Sequence, residues 1–159
     1  MTLEIAEIPA LGGTLALCPM PGRMGDYAGD LESLLAWHPA LVMTMTSKLE
    51  LATKGAGTLP ADLAAAGIDW QHLPVPDFGT PKRDTAALWP ETSSRIRAIL
   101  AEGGRVLVHC MGGCGRSGMA VLRLLTDAGE DPDTALTRLR AARPCAVETK
   151  AQQRWASLR

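Results

Sequence analysis

The segment "RVLVHCMGGCGRSGMAVLRLLTDAG", Arg105 to Gly129, most constrains the fold. Arg105 to Cys110 is apolar almost throughout, and Gly118 onward has apolar residues at helical spacing, so the loop Cys110 to Ser117 joins a strand to a helix N-terminus. A strand with no polar face has no side to give to water and belongs inside a sheet covered on both faces. Further β-type runs at Thr2 to Ile8, Thr14 to Cys18, Leu41 to Thr46 and Trp70 to Val75 alternate with segments of helical period. The pattern predicts an α/β fold, a mostly parallel sheet with helices on both faces.

The helical segments carry their own punctuation. Asp26 to Trp37 has Leu31, Leu34 and Leu35 on one face, and Pro60 to Ala66 starts at a proline and stops at Gly67. Asp84 to Glu102 is one or two helices because Pro90 breaks or kinks a continuous one; Asp84 suits an N-cap, and Gly103 with Gly104 ends the segment. Asp131 or Asp133 caps a helix to Ala142, closed by Arg143 and Pro144. "KGAGTLP", Lys54 to Pro60, reads as a surface loop, and no repeat or internal linker separates parts of the chain, so 1–159 is expected to be one domain.

Composition narrows the class. With a net charge of −1 the chain is not a general nucleic-acid binder, and its apolar runs are too short to span a bilayer. No signal-peptide pattern is present, so a cytoplasmic protein, monomeric and without a membrane partner, is expected. In that compartment Cys18, Cys110, Cys114 and Cys145 are expected to be reduced. The charge is uneven: residues 105–159 hold nine basic against five acidic side chains, net +4, and the first 104 hold seven against twelve, net −5. The basic half carries the glycine-rich loop and favours an anionic ligand there.

The loop has the chemistry to use one. Gly112, Gly113 and Gly115 let the backbone curl so that the amides of Met111 to Arg116 point inward, and the following helix adds a partial positive charge at the same place. The Arg116 guanidinium holds two phosphate oxygens at once. A thiol at such a helix N-terminus beside an arginine is favoured as thiolate, so Cys110 reads as a nucleophile that attacks a bound phosphate ester and forms phosphocysteine. No cofactor is called for. Cys110 and Cys114 make C-x3-C, which is not a zinc half-site, so no metal is expected.

His109-Cys110, five residues, then Arg116-Ser117-Gly118 resembles the HCX5RSG signature of cysteine-dependent protein tyrosine and dual-specificity phosphatases. "LALCPMPG", "LPVPDFGTP" and "HCMGGCGRS" are similar to corresponding segments of the kinase-associated phosphatases, the cyclin-dependent kinase inhibitor 3 family. The resemblance implies a central mixed sheet flanked by helices and hydrolysis of phosphorylated protein or peptide side chains. It casts Asp77, 33 residues before Cys110, as the general acid that protonates the leaving oxygen and then activates water. It gives Ser117 the role of stabilising the departing thiolate, His109 that of orienting the loop, and Gln152 that of positioning water. Glu148 stands where the family pattern has a glutamine, and its carboxylate is expected to turn away from the phosphate toward Lys150 or Arg154.

Cys114 reads as a small loop-lining residue or as a resolving thiol for oxidised Cys110; Cys18 and Cys145 are core or surface residues, or distal resolving partners. An arsenate-reducing or rhodanese-like thiol enzyme and a non-catalytic phosphate-recognising module are the rival classes. The Asp77 loop disfavours the first, and an intact Cys110, Arg116 and Asp77 disfavours the second. The loop offers no cation besides Arg116, which predicts a preference for phosphorylated side chains, aryl phosphates above all, over inositol lipids.

Overall fold

The computed structural model describes residues 3–158. Five strands form one mixed sheet: β1 (Ala6–Ala10), β2 (Gly13–Cys18), β3 (Leu41–Thr44), β4 (Asp69–His72) and β5 (Arg105–His109), in the order β1-β2-β5-β3-β4. β1 and β2 pair antiparallel around Leu11 and Gly12, both at positive φ as a tight hairpin turn requires, and every other pairing is parallel. The expected mostly parallel α/β architecture is therefore present, with the antiparallel hairpin at one edge. Strand β5, which launches the glycine-rich loop, lies at the centre between β2 and β3.

Its side chains alternate between two cores. Val106 and Val108 pack on one face with Leu15, Leu17, Ile96 and the apolar side of α6 (Gly115–Asp127), and Leu107 packs on the other with Ala16, Cys18, Leu34 and Leu63. Helices α1 (Tyr27–Ala36), α2 (Lys48–Thr53) and α3 (Leu59–Ala65) contribute Leu34, Leu51, Leu59 and Leu63 to the second core. Helices α5 (Trp89–Ala101), α7 (Pro132–Ala142) and α8 (Lys150–Ala156) cover the first core beside α6. No helix among the described residues is long and apolar enough to cross a membrane.

Several expected boundaries shift for identifiable reasons. The first strand was placed at Thr2 to Ile8; Thr2 lies outside the described residues, and β1 runs from Ala6 to Ala10. Strand β4 ends at His72 rather than Val75, because Pro74 and Pro76 have no N–H for a ladder. Leu73 and Val75 still donate to Thr44 and Met45 at 2.9 and 3.1 Å, so the chain stays on the sheet edge without forming regular strand. The Asp84–Glu102 segment divides at Leu88 into α4 (Arg83–Ala87) and α5, with Pro90 in the first turn of α5. Asp84 is not an N-cap: Lys82 occupies that position, and Asp84 sits within the first turn. Of the two caps considered for α7, Asp131 accepts from the Thr134 amide at 3.0 Å. Helix α2 was not anticipated; its signal is the capping box of Ser47 and Glu50.

Candidate active site

The site lies beyond the carboxyl ends of β2, β3 and β5, the usual location for a ligand in a parallel sheet. Residues 110–114 leave β5 and return as α6, which takes in Gly115, Arg116 and Ser117 earlier than the sequence pattern suggested. Gly113 shows why the loop is rich in glycine. Its φ is +71°, and a Cβ there would lie 2.5 Å from the Cys18 carbonyl carbon and 2.6 Å from the Pro19 nitrogen. The loop is thus pressed against the end of β2, and the Met20 amide donates to the Met111 carbonyl at 3.1 Å.

A cavity of about 180 Å³ is lined by Cys110, Met111, Gly112, Cys114 and Gly115 together with Asp77, Phe78, Arg23 and Glu148. Cys110 is 3% exposed, and its Sγ is 3.2 Å from Ser117 Oγ, close enough for the hydroxyl to donate to sulfur. Among the described residues Cys110 and Cys18 are the free cysteines. Burial pushes the Cys18 thiol far up, reinforced by the neighbouring Cys110 and opposed by Arg143, so Cys18 is a neutral core residue.

Arg116 is 1% exposed and held by a residue that sequence inspection missed. Its Nη1 and Nη2 donate to the two carboxylate oxygens of Glu50 at 3.0 Å each, and Nη1 also donates to the Val75 carbonyl at 3.0 Å. Burial opposes the Arg116 charge, but the Glu50 hydrogen bonds and the charges of Glu50, Cys110 and Asp77 outweigh it and raise its pKa. Burial also opposes the Glu50 charge, and Arg116 with Ser47 overcomes it, so the carboxyl is held below its usual range. The Arg116 Nε is buried with no partner, while Asp77 Oδ1 is 3.5 Å from Nη2. A buried N–H left unpaired is costly.

His109 is fully buried at the base of the loop. Its Nε2 is 2.7 Å from Thr44 Oγ1, its Nδ1 is 3.1 Å from the Cys110 carbonyl, and Thr44 Oγ1 accepts from Trp70 Nε1 at 2.8 Å. Because the Cys110 carbonyl can only accept, Nδ1 carries the imidazole proton and donates to it, and Nε2 is left to accept from the Thr44 hydroxyl. Burial pushes the His109 pKa down to about 4, so the ring is neutral near pH 7.

The largest departure from the sequence reading is a Cys114–Cys145 disulfide, where reduced thiols were expected. The chain folds so that α7 ends against the loop and brings Cys145 to Cys114, a meeting that residues 31 apart in sequence do not announce. The same segment supplies Arg143, whose Nε and Nη2 donate to the Gly113 and Gly112 carbonyls at 3.1 and 2.9 Å. Cys114 is therefore neither a simple lining residue nor a free resolving thiol, and Cys145 is not one either.

One further expectation changes. The Glu148 carboxylate does not pair with Lys150 or Arg154; it turns toward the loop, and a Cβ on Gly115 would collide with its Oε1. The loop itself holds no cation besides Arg116, but Arg23 from the β2–α1 connection lines the cavity, with Nη1 3.2 Å from where a Gly112 Cβ would stand. Gln152 is buried, with its Oε1 accepting from the Glu148 and Thr149 amides at 2.9 and 3.2 Å and its Nε2 donating to the Gly79 carbonyl at 3.1 Å. It links α8 to the Asp77 loop, and its polar atoms are already engaged. Glu50, Arg23 and Arg143 carried no local motif; the Ser47–Glu50 capping box was the one legible trace.

Residues 28–130 match the family model described as "Tc-R-P: Polymorphic toxin system, DSP-PTPase phosphatase". Cyclin-dependent kinase inhibitor 3 of Mus musculus is 31% identical over 135 residues, which cover 81% of this chain and 63% of the mouse protein. The chain thus spans less than two thirds of the curated relative's length. The structure of kinase associated phosphatase, in a form whose catalytic site cysteine is replaced by serine, superposes with a TM-score of 0.84 at 23% identity, covering 98% of this chain and 93% of that one. Tk-PTP in its active form superposes with a TM-score of 0.71 at 28% identity, covering 94% and 92% of the two chains.

Proposed function

We propose, from the premise that this chain belongs to the DSP-PTPase phosphatases, that it is a cysteine-dependent phosphomonoester hydrolase acting on phosphorylated protein side chains. One observation carries the reading: Cys110 and the carboxylate of Asp77 line one cavity at the start of α6, and the buried Arg116, whose Nε has no partner, sits with Nη2 3.5 Å from Asp77. In this mechanism the amides of residues 111–116 and Arg116 bind the phosphate dianion. Cys110 attacks phosphorus, and Asp77 protonates the departing oxygen. Ser117 donates to the sulfur as the phosphorus–sulfur bond breaks and the thiolate departs.

The proposed unit is the whole of 1–159 acting as one phosphatase domain, with no cofactor. Aryl phosphates are the favoured class because phenoxide is a better leaving group than alkoxide, and Phe78, 59% exposed at the cavity, offers an apolar wall to a ring. The arsenate-reducing alternative leaned on a free Cys114, and its sulfur is bonded to Cys145. The decisive experiment is hydrolysis of a phosphotyrosine peptide by the purified protein and its Cys110→Ser variant. Turnover lost in the variant with tungstate affinity retained supports the reading, and near-wild-type turnover overturns it.

A further inference from the structure

Glu148 is a second carboxylate at the cavity, carried by a different part of the chain from Asp77. Its Oε1 packs onto Gly115, the first residue of α6, and the carboxylate lines the cavity that holds Cys110. No ion pair neutralises it: among the described residues, no basic side chain approaches Glu148 within salt-bridge distance. The backbone that places it there is strongly held. Val147, a β-branched residue, has a φ of +67°, a strained conformation that persists only where surrounding contacts enforce it. Those contacts are the Val147 amide to the Cys114 carbonyl at 3.1 Å, Arg140 to the Val147 and Ala146 carbonyls at 2.9 Å each, and the Cys114–Cys145 bond. On the other side of Glu148, its amide donates to Gln152 at 2.9 Å. Strain and fastening on both sides serve to aim this one side chain over the loop.

A carboxylate at a phosphate site is a liability during binding, because two negative charges are brought together. It becomes useful when a proton has to be taken up. Asp77 is already engaged there: its Oδ1 accepts from the Phe78 amide at 3.0 Å and lies 3.5 Å from Arg116 Nη2. The Glu148 carboxylate has no hydrogen-bond or ion-pair partner among the described residues and lines the cavity that holds Cys110.

We infer that Glu148 is the base for hydrolysis of the phosphocysteine, leaving Asp77 to serve as acid in the first step; this rests on the phosphocysteine reading above. A water oxygen bonds to phosphorus, the phosphorus–Sγ bond breaks, and its electron pair returns to Cys110 as thiolate beside Ser117. The water proton passes to the Glu148 carboxylate and then to solvent, to which Glu148 is open. Phosphate is released. The charge that impedes binding is the charge that accelerates the second half-reaction.

Rapid-quench kinetics with an aryl phosphate test this on wild type, Glu148→Gln and Glu148→Asp, all exposed-side-chain changes. In Glu148→Gln the burst of phenol, one equivalent per site, is expected to keep its rate within about threefold. Phosphoenzyme decay, and with it kcat, should fall on the order of 10². Phosphocysteine should accumulate, the dependence of its decay on a deprotonated group should vanish, and Glu148→Asp should recover part of the rate. A phosphoenzyme that decays at the wild-type rate in Glu148→Gln overturns this inference and leaves the phosphatase reading standing. A wild type that forms no phosphoenzyme on Cys110 overturns both.

Discussion

Glu50 grips Arg116 through two hydrogen bonds of 3.0 Å while the same Glu50 side chain accepts from the Ser47 amide and closes the N-terminus of α2. A fork-to-fork pair fixes the guanidinium plane, so Nε is directed without rotamer freedom. The helix that supplies Glu50 is only six residues long, and its position depends on the cap it shares with the arginine.

Glu50→Gln should therefore weaken phosphate binding and catalysis together. The expected loss in kcat/KM for an aryl phosphate is on the order of 10², since Arg116 keeps its charge but loses its orientation. Glu50→Ala removes the carboxylate that grips a buried charge and should also lower stability by about 2 kcal/mol, discounted for the 28% exposure of Glu50. Product inhibition by inorganic phosphate and urea midpoints measure the two effects. A wild-type phosphate inhibition constant in Glu50→Gln would show that Arg116 needs no such clamp.

Asp77→Asn should separate substrates by leaving group. A phosphotyrosine peptide needs its leaving oxygen protonated and should lose on the order of 10² to 10⁴ in kcat, while an activated aryl ester should lose far less. Equal losses on both would assign the acid elsewhere, and Asp84, held in the first turn of α4, would be examined next.

The Cys114–Cys145 bond closes a 31-residue separation, for which chain entropy predicts about 3–4 kcal/mol of stabilisation. Reductant should lower the Tm and raise KM for aryl phosphates, because only hydrogen bonds from Arg143 and Val147 then tie the loop carbonyls to the segment after α7. Cys145→Ser should show both changes without reductant and no further response to it. A wild-type Tm insensitive to complete reduction, with thiol titration confirming two new thiols, would contradict the stabilising role.

Arg23→Ala probes the second cation. KM should rise five- to tenfold for phosphopeptides with an acidic residue beside the phosphorylated one and change little for phenyl phosphate, which has no second anion. Phosphoinositide headgroups should lose at least as much, and phosphotyrosine peptides are expected to remain the better class. Equal KM changes on all substrates would instead make Arg23 a part of the general phosphate cradle.

Stability should fall as the solution is acidified before the carboxylates titrate. An unfolded histidine takes up a proton below about pH 6.5, whereas buried His109 does so only near 4. The contribution of the neutral ring is thus whole above pH 6.5 and is lost as pH falls from there toward 4, with a slope of up to about 1.4 kcal/mol per unit. Urea midpoints at pH 7.5, 6.5 and 5.5 measure it. A wild-type midpoint flat over that window would indicate that the ring is accessible to protons in the native state.

The amino-acid sequence by itself determined the α/β architecture and the nucleophile loop, because both are written in adjacent residues. Apolar β5 has no solvent face, Gly113 alone tolerates its contact with Cys18 and Pro19, and Cys110, Arg116 and Ser117 are carried to one place by a single strand-to-helix turn. The split at Leu88 was legible in the same way, as proline chemistry, whereas the antiparallel edge strand emerged only in the structure. What only the tertiary structure decided are the partners of that loop. Glu50 reaches Arg116 across 66 residues, Arg143 and Cys145 arrive from the end of α7, and Arg23 comes from the β2–α1 connection. Glu148, expected to turn to neighbours on its own helix, was turned over the loop by contacts from Cys114 and Arg140. Local periodicity encodes which face of an element is buried, whereas these pairings depend on how the ends of separate elements meet once the two cores have packed.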